Sequence, residues 1–236
     1  MSILAIDTSS QVSSVAVASE EILRAELTMQ GRLTHSETLM PHIEQVLNMA
    51  DLSKEELDGV AVSIGPGSFT GLRIGLATAK AMSYALNIPL VGVSSLQALA
   101  CHCPVPGVRI VALVDAQKGN AYRESYDWES GRLHVVEPLE IIPMKEFLAA
   151  CADRKGETIL LGDMTERRMV AEWDLPPHVR IAPPHLRMPR AAGVAVLGLR
   201  KLAIGEKADP MDLEPVYVRR SEAEVLWEKR HPKVES

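Results

Sequence analysis

The chain has 236 residues, 47% of them hydrophobic and 24% charged. This ordinary globular composition excludes a disordered or fibrous protein and, at about 150 residues per domain, gives one large unit or two small ones. Twenty-five basic against thirty-one acidic side chains leave a net charge of -6, a poor basis for binding a phosphate backbone unaided, so any nucleic acid served is expected to be held by a partner. No apolar run reaches the roughly 20 residues of a membrane helix, and the amino terminus lacks a basic leader with a cleavage site, which predicts a cytoplasmic protein without membrane contact.

From the amino terminus, Ile3 to Ile6 form an apolar strand closed by the hydroxyl-rich turn Asp7-Thr8-Ser9-Ser10. Val12 to Ala18 and Ile22 to Thr28 alternate well enough to continue an antiparallel meander. Thr34-His35-Ser36-Glu37 has the form of a capping box, and Leu39, Met40, Ile43, Val46, Leu47 and Ala50 follow at helical spacing. Pro41 removes a ladder hydrogen bond there and is expected to kink or delay the helix. Val60 to Ile64 is a buried strand that leads into Gly65-Pro66-Gly67-Ser68-Phe69-Thr70-Gly71 and a helix running to about Leu86.

A glycine-rich junction of this kind can present amides to an anion, although tight turns need glycine for purely geometric reasons too. It is not a Walker loop, which requires a lysine this sequence does not supply. Gly71, Gly75 and Ala79 recur every four residues along one face of the helix. Periodicity leaves two explanations open: close packing on the helix's own sheet, or a docking face for a helix of another chain. Asn87-Ile88-Pro89 stops the helix, and Leu90 to Val93 begins the next strand. Cys101, Cys103 and Cys151 are an odd count unlike a disulfide framework, and Cys101-His102-Cys103 has no second pair at zinc-finger spacing, so no metal site is predicted.

Pro104-Val105-Pro106-Gly107 reads as a linker, after which the pattern begins again. Ile110 to Asp115 mirrors Ile3 to Asp7, with strands following at Ala121 to Tyr126, Arg132 to Val136 and Thr158 to Leu161. Helices are expected near Lys145 to Ala152 and from about Arg190 to Ile204. The repetition predicts an α/β protein with two βββαβα-type halves, a duplicated actin-like ATPase fold: a first unit at 1–104, a second at 108–208 and an extended tail at 209–236. In that fold the turn after the first strand of each half faces the central cleft, which would place Asp7, Thr8, Ser9 and Asp115 there.

Ile6-Asp7-Thr8-Ser9, then His35-Ser36-Glu37 with Leu39 and Pro41, and above all Ser63 to Gly75 closely resemble the TsaB family, also called YeaZ. The resemblance is dense over the first hundred residues and thins to Val114-Asp115-Ala116, Tyr122 and Pro215-x-Tyr217-x-Arg219. It implies a part in making threonylcarbamoyladenosine at position 37 of transfer RNAs that read codons beginning with A. In the related TsaD branch, which transfers the threonylcarbamoyl group, an HxxxH motif holds the metal. Aligned on Gly92-Val93, those two positions fall on Ser95 and Leu99, so the resemblance implies a degenerate active site with no activity of its own and no bound metal.

The implied role is a noncatalytic partner of TsaD, joined by TsaE, with ATP or ADP bound only within that complex, transfer RNA reached only indirectly, and a homodimer formed when TsaD is absent. The helices carrying this contact would be Ser36 to Met49 and Leu72 to Leu86. Interface residues would be His35, Leu39, Ile43, Gly71, Leu72, Gly75, Ala79 and Met82. The competing expectation is phosphoryl transfer or hydrolysis in the cleft around Asp7 and Asp115. A hydrolytic pair from His35 and Ser36 is excluded because adjacent helical residues do not face each other.

Overall fold

A computed structural model describes residues 1–31, 35–166 and 173–218. The meander forms as expected: β1 (Ser2–Asp7), β2 (Val12–Ser19) and β3 (Leu23–Gln30) pair antiparallel. Helix α1 (His35–Met49) leads to β4 (Gly59–Gly65), which lies parallel to β1, and α2 (Phe69–Leu86) leads to β5 (Leu90–Ser94), parallel to β4. After the short α3 (Ser95–Ala100), the second half lays down β6 (Arg109–Asp115), β7 (Asn120–Glu129) and β8 (Arg132–Pro143). Then come α4 (Met144–Asp153), β9 (Thr158–Leu161), β10 (Val179–Ile181), α5 (Pro184–Arg187) and α6 (Ala191–Ala203).

The sheets run β3-β2-β1-β4-β5 and β8-β7-β6-β9-β10. Each half therefore has the order 3-2-1-4-5, with the first strand antiparallel to the second and parallel to the fourth. This is the duplicated actin-like fold that the two aspartate-ended strands predict. Strand side chains alternate between faces. Leu4 and Ile6 meet α1 and α2, while Ile3 and Ala5 meet α6. In the second sheet Ile110, Ala112 and Val114 face α3, and Val111 and Leu113 face α4. Helices and sheets thus form five layers, α1 and α2, first sheet, α3 and α6, second sheet, α4.

The halves are interlocked. Boundaries drawn on the sequence put α6 in the second unit, yet its Val194, Ala195 and Leu199 cover the first sheet, while Leu96 and Leu99 of α3 cover the second. The two middle helices meet so closely that a Cβ on Gly193 would lie 2.4 Å from the Ala98 carbonyl. Glu26 of β3 anchors α6: its Oε1 accepts from the Ala192 amide at 2.9 Å and its carboxylate pairs with Arg190. Those free amides and the positive end of the helix dipole favour an anion at this place.

Two local expectations need correction. Helix α1 runs through Pro41 without interruption. Pro41 lies on the exposed face, where its ring meets solvent instead of the packed core. The tail is not a free extension over Asp209–Val218: Leu213 packs against the first core, Ala208 bridges Leu90, and the Val216 amide donates to the Ile64 carbonyl. Thr34, the expected cap, and the tail from Arg219 onward lie outside the described residues.

Candidate functional site

Two hollows of about 450 and about 870 Å3 share Ser10, Gln11, Asp115 and Asp163 and together form one cleft between the halves. The first is also walled by Ser9, Gly67, Ser68, Tyr122 and Tyr217, the second by Met164, Glu166, Arg187 and Met188. Asp115 stands exposed at the end of β6, its Oδ1 accepting from the Gln117 amide at 2.7 Å. The Asp115 amide in turn donates to Asp163 Oδ1 at 2.9 Å. Burial, with a smaller contribution from the Asp115 charge, pushes the Asp163 carboxyl up to about 6.

Gly162 makes this pairing attainable. Its φ of +102° suits glycine, and a Cβ would sit 2.0 Å from the Leu113 carbonyl. Gly65, the last residue of β4, takes the same conformation in the first half, at φ +104°. Asp163 is not among the cleft residues expected from the sequence, although Leu161-Gly162-Asp163, the Gly-Asp end of an apolar strand, is a weak counterpart of a glycine-rich nucleotide motif and a readable signal for it.

Of the four predicted cleft residues, Ser9 and Asp115 line the cleft, whereas Asp7 and Thr8 do not. The glycine-rich loop covers them. The Ser68 amide donates to the Ser9 carbonyl at 2.6 Å, and a Cβ on Gly67 would lie 2.1 Å from that same oxygen. Thr8 Oγ1 donates to the Gly71 carbonyl at 2.8 Å. Asp7 is fully buried; one oxygen accepts from the Ser9 amide and hydroxyl at 2.9 and 2.7 Å, and the other has no partner among the described residues. Burial raises its pKa against the opposing pull of the Ser9 bonds.

The predicted interface residues are mostly interior. Leu39, Ile43, Gly71, Leu72, Gly75 and Ala79 are buried within the chain itself, leaving only His35 and Met82 part-exposed. The small strip is a packing device: a Cβ on Gly71 would fall 2.1 Å from the Thr8 carbonyl and one on Gly75 2.2 Å from Thr8 Oγ1. His35 Nε2 meets the carbonyl of cleft-lining Ser10 at 2.7 Å, and buried His42 Nδ1 lies 3.1 Å from Ser13 Oγ, but neither histidine nor Ser13 lines the cleft. Burial lowers the His42 pKa, and neither contact gives a nucleophile open to substrate.

Positions 95 and 99 offer nothing to a metal. Ser95 is buried with its hydroxyl donating to the Pro66 carbonyl at 2.5 Å, and Leu99 lies in the core against the second sheet. Cys103 is likewise a core side chain, its thiol pKa pushed up by burial.

A family model described as TsaD: tRNA N6-adenosine threonylcarbamoyltransferase matches residues 30–155. The tRNA threonylcarbamoyladenosine biosynthesis protein TsaB of Bacillus subtilis (strain 168) is 33% identical over 228 residues, which cover 96% of this chain and 98% of that protein. This chain belongs to the TsaB family. The Escherichia coli (strain K12) TsaB is 26% identical over 97% of this chain and 98% of its own. A solved structure titled YeaZ from Pseudomonas aeruginosa superposes with a TM-score of 0.76 at 26% identity, covering 92% of this chain and 99% of that one. In this TsaB-family chain, no helix of the described residues is long and apolar enough to cross a membrane.

Proposed function

We propose that the chain is the noncatalytic partner of TsaD in the threonylcarbamoylation of adenosine 37 in transfer RNAs reading codons that begin with A. Its relatives' shared name supports the part in threonylcarbamoyladenosine biosynthesis. The observation that carries the noncatalytic reading is the sealed first half. Asp7 and Thr8 are buried under the glycine-rich loop, whose close contacts are with the Ser9 and Thr8 backbone. A turn closed in this way cannot receive the phosphates that an actin-like ATPase would place beside it.

The docking surface is the outward face of the two helices the resemblance names, not their buried sides. On α1 it carries Met40 and Met49, 56% and 57% exposed, around a groove formed by Pro41, Glu44, Gln45 and Asn48. On α2 it carries Arg73, Ala77, Ala81 and Tyr84, the last 81% exposed. Large apolar side chains gathered on neighbouring helices mark a protein interface. TsaE joins this pair, a second copy of the chain takes the same face when TsaD is absent, and ATP or ADP binds only in the full assembly.

The test is co-purification with TsaD together with modification of transfer RNA by TsaD, TsaE and the enzyme supplying the carbamoyl-adenylate. Modification should require this chain, and Met40→Asp with Tyr84→Asp should abolish both readouts. Modification that proceeds without the chain, or that the chain performs without TsaD, overturns the proposal.

A further inference from the structure

The segment after α6 lies along the flank of α2 that faces away from α1. Its course is fixed at four points: the Ala208 amide donates to Leu90 at 2.8 Å, Lys80 Nζ reaches the Met211 carbonyl at 3.4 Å, the Val216 amide donates to Ile64 at 2.8 Å, and Arg73 Nε donates to the Tyr217 hydroxyl at 2.9 Å. The segment therefore runs antiparallel to α2, with residue 211 beside the middle of the helix and residue 217 beside its start. There the Phe69 and Tyr217 rings lie 4.9 Å apart, with the Arg73 guanidinium 3.8 Å from the Phe69 centroid.

Leu213 packs inward and holds the strap in position, while its other large apolar side chains stay outward. Met211 is 82% exposed and Tyr217 42%, and Val216, Val218 and Phe69 are exposed beside them. Exposed apolar side chains thus recur on all three elements, Met40 and Met49 on α1, Tyr84 on α2 and Met211 and Tyr217 on the strap. Exposed carboxylates stand among them, Glu44 in the α1 groove and Asp209, Asp212 and Glu214 on the strap.

The dimensions give the strap a purpose. Helices of 15 and 18 residues, side by side, offer a footprint of about 20 by 25 Å, or about 500 Å2. A standard interface takes about 800 Å2 of accessible surface and roughly 20–30 residues from each partner, whereas α1 and α2 expose eight and seven residues, fifteen in all. We propose that the strap Ala208–Val218 is the third element of the docking surface and seats the same TsaD partner along the open flank of α2, chiefly through Tyr217, Phe69 and Met211. The proposal rests on the reading of α1 and α2 given above and adds the partner's chemistry: an apolar row edged by basic side chains, whose association weakens as salt rises. Tyr217 also lines the cleft, so the partner would touch the cleft's rim while lying on α2.

The test is a calorimetric titration of the full chain into TsaD. Met211→Ser with Tyr217→Ala should weaken binding at least tenfold, whereas Tyr217→Phe, which keeps the ring and loses only the hydroxyl bond, should bind as the unaltered chain does. Met211→Ser alone, at a side chain open to solvent, carries the test if the double variant misfolds, and should weaken binding about threefold. Unchanged affinity for Met211→Ser and the double variant, with Met40→Asp still abolishing binding, overturns the strap's role and leaves the two-helix reading standing. Unchanged affinity for Met40→Asp as well overturns both.

Discussion

Gly71 shows what residue spacing does and does not reveal. A four-residue repeat of small side chains establishes that something approaches the helix closely, but not whether the neighbour belongs to the same chain. Here it is the turn after β1, with the Thr8 carbonyl occupying the place of the missing Cβ. Gly71→Ala should cost about 1–3 kcal/mol in urea unfolding of the isolated chain, and Ala79→Arg should prevent folding outright, since Ala79 is fully buried. A soluble, cooperatively folding Ala79→Arg would contradict this packing. Asp163 acts at the same scale. Its pKa, raised from 3.8 to about 6, means that the folded chain holds a proton the unfolded chain releases across that interval. Stability should therefore fall as pH rises from about 4 to about 6 and then level off. Asp163→Asn keeps an oxygen for the Asp115 amide and should flatten this slope while stabilising the chain at neutral pH, as read from urea midpoints on either side of the window.

At the scale of elements, the meander, both long helices of the first half and the Asp-ended strand of each half are legible because apolar periodicity and terminal signals agree along the chain. The destination of α6 is not, because nothing between residues 191 and 203 encodes which sheet it will cover. That is set by a distant carboxylate, Glu26, together with Ser14, whose hydroxyl accepts from the Ala191 amide at 2.8 Å. Glu26→Ala removes the anion at this helix start and leaves Arg190 unpaired, which should cost about 3 kcal/mol. Because α6 joins the halves, the melting transition should drop as a single step; two separated transitions would contradict the interlock. The three-residue β10 and four-residue α5 are too short to show a period. The docked strap is not legible because proline and mixed charge read as solvated chain, while its anchors are main-chain groups with only Leu213 and Tyr217 as side chains.

Across the whole molecule, the duplication was readable from two strands ending in aspartate, but the difference between the halves was not. The first half closes its turn with the glycine-rich loop; the second leaves Asp115 and Asp163 open to the cleft. The part of the actin-like frame that remains open thus lies beside the strap and apart from the outward faces of α1 and α2. The most direct test of a docking role without chemistry is transfer-RNA modification by the complete set of proteins, using a chain that carries Asp115→Asn and Asp163→Asn and still binds TsaD. Modification at the rate of the unaltered chain is the result expected of a noncatalytic partner. Loss of modification with TsaD binding intact would contradict it and place the chemistry in this cleft.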